Sequence, residues 1–506
     1  MRALHLRSSA GWLLLPWAVL VGFALHAGPY GLTEEGSKAL LLAWSMADQV
    51  PSTAITLGAP DIRLIFFLPL AVLWSGQVMA AKLLTLLVMA AAGALLYTWR
   101  ARDDQGEAAL LATGLLLVAP LTVDCINSLS TAPFLLAICG TAAWLNGRLS
   151  RERGTLGGWF FAQLFLCGAA VSLHPAGLAY PVALIIYWLA EPKQRRDRQI
   201  ALTGVPLIVG LTLVIRGGWS GIAFEQNPLS AAAAVFGGSR PDMPLSVAAW
   251  LFGFALIAMT AAVALHERRR LMADLTGATL MLGVVFGVVA ADRSWALLMF
   301  ALLLYAGFPW LLRVCTPLKG RGLLLQRGWL WVLLVVICTA FMRTNRAEFE
   351  VGRLDLLSAE DDLIREFAVG VNELKGTAAA TAPAAAAAPA AAAPASAPPA
   401  SAAPASAAPA SAAPPSGDAA PVLVASPWPA RTSIACQCGA LPLPPAAKDP
   451  DSQLAMMHGV SYVILADSLE SRALANNFAQ LGARVEVMSK QPGGVILRLK
   501  PPRDGL

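Results

Sequence analysis

The stretch "DIRLIFFLPLAVLWSG", residues 61–76, decides how this chain is threaded. Between Ile62 and Ser75 it is apolar but only about 14 residues long, and Pro69 interrupts it. A helix that crosses a bilayer needs about 20 residues. Charge decides between the two readings. With this segment in the membrane interface, Arg100/Arg102, Arg148/Arg151/Arg153, Lys193/Arg195/Arg196/Arg198, Arg268/Arg269/Arg270 and Arg313/Lys319/Arg321/Arg327 all share a side with Arg2 and Arg7. The opposite side keeps only scattered positives, notably Lys38, Arg63, Arg216, Arg240 and Arg293. A crossing here would send every later basic loop away from the N-terminus, against the tendency of Lys and Arg to stay cytoplasmic.

Around this segment the apolar runs recur at Trp12–Ala27, Val78–Trp99, Ala108–Val123, Thr131–Leu145, Gly157–Leu173, Leu178–Ala190 and Ile200–Ile215. They continue at Val247–Leu265, Leu275–Ala290, Trp295–Leu312 and Trp329–Phe341. With 57% hydrophobic and 13% charged residues, the 506-residue chain has the composition of a polytopic membrane protein, not of a water-soluble globule. The first run lacks a small-residue cleavage site and reads as a retained helix. The sequence thus predicts a polytopic α-helical membrane protein of about eleven spans, with a cytoplasmic N-terminus and an external C-terminus. The net charge of +6 sits mostly in short loops, so it sets orientation and does not mark a nucleic-acid surface.

This threading makes residues 28–76 a long first external loop with two juxtamembrane helices, about Glu34–Asp48 and Ile62–Ser75, within a membrane domain of residues 1–343. Trp44 and Trp74 suit the interface. A second external loop, Gly217–Leu245, is long enough to cover a site. Residues 344–375 open an external domain, with an amphipathic helix at 358–375 whose Leu363, Ile364, Phe367, Val371 and Leu374 share a broad face. Residues 376–419 are an Ala/Pro/Ser tract, read as disordered. Residues 420–506 read as a small α/β domain with strands at Val422–Ala425, Ser461–Leu465, Val485–Met488 and Val495–Leu499, and helices near Asp451–Met457 and Leu469–Leu481. Of seven cysteines, Cys125, Cys139, Cys167, Cys315 and Cys338 lie in or beside apolar runs, whereas Cys436 and Cys438 form a C-x-C. No second pair completes a zinc site, and a bridge across one residue is not expected.

Chemistry concentrates in the first loop. Thr33 is a good N-cap, and Glu34 and Glu35 then fill the first helical turn, favoured by the helix dipole. Adjacent helical residues point about 100° apart, so one carboxylate at most faces a given reacting atom. Lys82 lies about one turn into the next span, where an ionisable group either snorkels or meets an anion. Arg216, Asp292 and Arg293 mark span ends, as does His174 in "VSLHPAGL". No nucleotide or organic cofactor motif occurs, and a divalent metal is left open.

"GLTEEGSKALLLAWSMADQVPSTAITLGAPDIRLIFFLPLAVLWSGQVMAAKLL", residues 31–84, resembles the first external loop of the GT-C membrane glycosyltransferases. These include the protein mannosyltransferases, the lipid A aminoarabinose transferases and the rhizobial lipopolysaccharide sugar transferases. Glu34-Glu35 stand for that family's Asp-Glu pair, Pro60, Asp61 and Ile62 for its Pro-Pro-Leu segment, and Gly76 with Lys82 for the Gly and basic residue of the second span. "VLVASPWPARTSIACQCGALPLPP" and "LAMMHGVSYVILADS" resemble its external α/β domain. Departures are Glu for Asp at position 34, Ser130 and Thr131 where an Asp is usual, and His174 in place of a Lys.

The resemblance implies transfer of a sugar from a polyprenyl phosphate donor to an envelope glycan, lipid or protein acceptor, on the periplasmic face of a bacterial inner membrane. It implies Glu34 as the base with Glu35 as its partner, and Lys82, then Arg293, on the leaving phosphate. His174, Asp61 and Arg63 complete the expected substrate contacts. Two other readings stay beside it. A lipid-carrier flippase would want ionisable groups near the bilayer midplane and an internal repeat, and an inactive envelope scaffold would keep only the tail domain's binding role.

Overall fold

The computed structural model describes residues 25, 30–47, 60–74, 77–101, 106–149, 158–190, 195–216, 228–237, 247–315, 336–337, 359–381, 422–491 and 493–500. The expected first span, Trp12–Ala27, and last span, Trp329–Phe341, fall almost wholly outside these residues, as do Gly76 and residues 382–419 of the Ala/Pro/Ser tract.

Two short helices come first, α1 (Glu34–Met46) and α2 (Arg63–Leu73). Apolar helices follow: α3 (Val78–Ala101), α4 (Gly106–Val118), α5 (Pro120–Asn127), α6 (Ala132–Leu149), α7 (Gly158–Leu173), α8 (Ala179–Ala190) and α9 (Arg195–Arg216). After them come α10 (Pro228–Gly237), α11 (Val247–Met272), α12 (Leu275–Gly287) and α13 (Arg293–Cys315). Among the described residues α3 alone is long and apolar enough to cross a membrane by itself, and the bent α4–α5 pair makes a second candidate.

Side chains such as Leu207, Leu211, Val214 and Ile215 of α9, and Leu251, Phe254, Met259 and Leu265 of α11, point outward rather than into the core. An apolar belt of this extent fits hydrocarbon, not water. In α2, Phe67 and Ala71 are buried while Ile65, Phe66, Val72, Leu73 and Trp74 are exposed.

The expected span Ala108–Val123 does not run straight. It bends by 52° at Ala119–Pro120. Pro120 has no N–H to give the preceding helix, and Ala119 before it takes an extended conformation, ψ 134°. The bend brings the turn Ser128–Ser130 against the start of α1. Gly36 makes that approach feasible, because a Cβ there would stand 2.1 Å from the Ser128 carbonyl oxygen. α10 occupies part of the expected second long loop.

The C-terminal unit starts with α14 (Ala359–Thr381), which continues six residues past the expected end at 375. Its sheet has the order β2-β1-β3-β5-β4. The strands are β1 (Leu423–Ser426), β2 (Gly439–Pro442), β3 (Tyr462–Ala466), β4 (Val485–Gln491) and β5 (Gly494–Leu499). β1 lies parallel to β2 and β3, and β5 is antiparallel to β3 and β4. Helices α15 (Pro429–Cys436), α16 (Pro450–Met456) and α17 (Leu469–Gln480) complete the unit.

Strand alternation gives the sheet two apolar faces. Leu363, Phe367 and Val371 of α14 cover Val424, Tyr462, Ile464 and Ile496 on one, and Leu474 and Phe478 of α17 cover Val463, Leu465 and Leu497 on the other. The sequence reading missed β2. It also missed the Cys436–Cys438 disulfide, which closes around Gln437 in the left-handed region, φ 48°. That single turned residue brings the two Cα atoms to 5.2 Å, inside the bridging range.

Candidate active site

The candidate site gathers where the N-terminus of α1 meets the ends of α5, α7, α9 and α13 and the start of α15. Thr33 caps α1: its side chain accepts from Gly36 N at 3.1 Å and donates to Ser128 O at 3.0 Å. Glu34 and Glu35 then leave the helix on different faces and meet different partners.

Glu35 anchors one side. Its Oε1 takes a 2.9 Å bond from Nη2 of Arg63, a residue only 1% exposed. The same guanidinium binds both oxygens of Asp61 and donates from Nη1 to Leu129 O at 2.8 Å. Burial alone would lower the Arg63 pKa, but Asp61 and Glu35 outweigh it and hold the group above its ordinary value. Asp61 and Arg63, expected beside substrate, are therefore consumed in a buried network that fixes α1, α2 and the Leu129 turn together.

Alongside it stands a His–Asp pair. His174 Nδ1 accepts from Ala176 N at 3.1 Å, which leaves the proton on Nε2, 3.4 Å from Asp292 Oδ1. That distance and geometry make a charge contact rather than a well-formed hydrogen bond. Burial disfavours imidazolium, yet Asp292 and Glu35 outweigh it and raise the His174 pKa. Burial pushes Asp292 up, but His174 and the Trp295 N–H bring it below its ordinary value. Arg293 bonds Asp124 at 2.9 Å, and Ser130 and Thr131 each contact Ser294 at 2.9 Å.

Glu34 lies on the other side, facing the C-terminal unit. Its Oε1 accepts from Ala430 N at 3.2 Å and its Oε2 from Arg431 N at 3.3 Å, with Lys38 at 3.8 Å. Desolvation raises the Glu34 pKa, opposed by those amides and by Lys38. The bonds are long and weak beside those of Glu35. Lys82 does not snorkel: it is 0% exposed and donates to Tyr30 O at 2.7 Å, within the field of Asp361.

Four residues that the sequence reading treated as ordinary, Arg431, Glu360, Asp361 and Arg216, also belong here. Arg431 reaches Glu360 and Asp361 at 2.7 Å each, and Asp361 accepts from Gly31 N at 3.4 Å. Arg216, at the end of α9, feels Asp61 and Glu35, and its buried Nη1 has no hydrogen-bond partner among the described residues. Its place at the end of an apolar run was the only sequence signal. A cavity of about 650 Å³ lies elsewhere, between α17 and the sheet, but it holds no paired carboxylates, so we place the chemistry at the α1 cluster. Among the described residues no three His, Cys, Asp or Glu side chains converge as a metal site.

No protein-family model and no curated protein matches the sequence. Among solved structures the chain is similar to the crystal structure of ArnT from Cupriavidus metallidurans bound to undecaprenyl phosphate, at 12% identity and a TM-score of 0.51, covering 97% of this chain and 99% of that one. The likeness shows the fold alone, a polytopic helical membrane bundle with a small C-terminal sheet domain.

Proposed function

We propose that the protein transfers a sugar from a polyprenyl phosphate to a hydroxyl-bearing cell-envelope acceptor, at the outer face of a bacterial inner membrane and with inversion. One observation carries the reading. In a fold shared with a protein solved with undecaprenyl phosphate, two neighbouring carboxylates are split between an anchored role and a weakly held one.

Glu34 is the base. Burial raises its pKa toward the working range of a general base, and its present partners are long bonds from a separate unit. Glu35 is held at 2.9 Å by Arg63, which Asp61 and the Leu129 carbonyl fix in place, so it serves as the anchor that aims α1. Glu34 takes the proton of the acceptor hydroxyl as its oxygen bonds the anomeric carbon. The bond from that carbon to the phosphate oxygen breaks, and its electron pair departs with the polyprenyl phosphate. Attack from the face opposite the leaving group inverts the centre through an oxocarbenium-like state. Lys82 and Arg216 are the cations for the leaving phosphate. Arg293, the earlier second choice, is neutralised by Asp124. The exposed apolar face of α9, ending at Arg216, suits a prenyl chain in the bilayer.

The oxidised Cys436–Cys438 pair supports placing the C-terminal unit outside the cytoplasm. The test is Glu34→Gln in reconstituted protein supplied with lipid-linked sugars from bacterial membranes, with released polyprenyl phosphate read by mass spectrometry. The expected loss is about 10²- to 10⁴-fold with folding retained, and full activity in the variant removes Glu34 as the base.

A further inference from the structure

We infer that the C-terminal unit is a gate over the base, and that acceptor enters at the seam between α1 and α15 by displacing the backbone amides of Ala430 and Arg431 from Glu34. The inference rests on the proposed role of Glu34 and extends it to the route and control of the acceptor.

Three observations converge. The two amides donating to Glu34 lie in the first turn of α15, where helix N–H groups have no intrahelical acceptor. They take one lone-pair site on each carboxylate oxygen and set α15 over that face of the group, so an acceptor approaching from that side has to displace a donor. An incoming hydroxyl is itself a donor and can take that place without leaving the carboxylate unpartnered. The donors also belong to a part of the chain some 396 residues away, so they can withdraw without unwinding α1.

The gate is held by apolar contact and by charge: Ala430 and Ile434 of α15 are buried in the core shared with the helical bundle, and a charged cluster sits beside them. Arg431 ties α15 to Glu360 and Asp361 at the start of α14, and stacks over Trp428 at 5.4 Å. Asp361 in turn accepts from Gly31 N, three residues before Glu34, and faces Lys82. One side chain therefore connects the cap on the base to the strand of chain that carries the base and to the phosphate-side cation. Glu35, fixed through Arg63 to α2 and Leu129, keeps α1 in place when the cap lifts.

The test is hydrogen exchange on the full-length protein in bilayer discs, read at residues 430–436 and 34–37, with strands β1, β3 and β5 as the folding control. Glu34→Gln is expected to speed exchange of the Ala430 and Arg431 amides by about 10- to 100-fold, as loss of hydrogen bonds to a charged group predicts, with the strands unchanged. Arg431→Ala is expected to speed the same amides and, with lipid-linked sugars present, to raise acceptor-independent release of polyprenyl phosphate to water severalfold. In that release water supplies the proton to Glu34 and its oxygen to the anomeric carbon. Should Arg431→Ala lose strand protection, Arg431→Lys replaces it. Unchanged exchange at Ala430 and Arg431 in Glu34→Gln overturns the cap. Faster exchange in the Arg431 variant without faster release makes the unit a brace and overturns the gate. Absence of release by the wild-type protein overturns the transferase reading instead, and the exchange result still decides the cap.

Discussion

Replacing Gly36 by Ala tests the close approach on which the site is built. The added Cβ would stand 2.1 Å from Ser128 O, where ordinary contact begins near 3.4 Å. The obstacle is backbone, held by the Thr33 hydroxyl and by the bend at Pro120, so side-chain rotation cannot relieve it. α1 must withdraw by roughly 1 Å. That stretches the 3.0 Å Thr33–Ser128 bond past useful length and loads the neighbouring Arg63–Leu129 contact. Overpacking of this kind costs about 1–3 kcal/mol and the lost hydrogen bond about 1 kcal/mol. The better helix propensity of Ala returns at most about 1 kcal/mol, leaving a net loss of about 1–3 kcal/mol. Thermal unfolding in detergent should show a clear downward shift. Transfer activity should fall about 100-fold from a misplacement of this size. Gly114→Ala in α4 is the control, because a Cβ there meets nothing within 4 Å. A Gly36→Ala protein as stable and active as the Gly114→Ala control would refute the close packing of α1 on the Ser128 turn.

The other predictions concern charge and redox state. Arg63→Met should destabilise by about 3–5 kcal/mol, because it strands the buried Asp61 carboxylate without its partner; Arg63→Lys should not rescue it, since an ammonium cannot bind Asp61, Glu35 and Leu129 O as the planar fork does. An unfolding midpoint for the Lys variant equal to wild type would contradict this. The His174–Asp292 pair gives a pH dependence of defined sign. The raised His174 pKa means its contribution is complete below about pH 6.5 and is lost as pH rises through the folded value. The lowered Asp292 pKa means its contribution is present above about pH 4 and is lost as pH falls through its folded value. His174→Asn should flatten both slopes in a stability profile, and an unaltered profile would show that the pair does not titrate with folding. Alkylation before and after reduction should label Cys125, Cys139 and Cys167 on unfolding without reductant, but Cys436 and Cys438 only after it. Labelling of all five without reductant would exclude the bridge.

What the sequence by itself determined is what acts over short distances along the chain. Thr33 as N-cap, the acidic first turn of α1, the short α2 and the continuous apolar run of Tyr462–Ala466 are each set within one element. Local propensity and hydrophobic period suffice to read them. Even the break at Pro120 was present as a residue type, though the reading of Ala108–Val123 as one run passed over it.

The roles of the charged residues needed the tertiary structure. Glu34 and Glu35 carry the same chemistry in adjacent positions. One was given to Arg63, 28 residues away, and the other to amides nearly 400 residues away, only by the docking of α2 and α15 on α1. His174 with Asp292, and Arg431 with Asp361, likewise meet only in the fold. A charge in a sequence has no partner until burial forces one on it. Desolvation made partners necessary for the buried members, Arg63, Asp61, His174 and Arg431, and desolvation is a property of the packed bundle rather than of any segment in it.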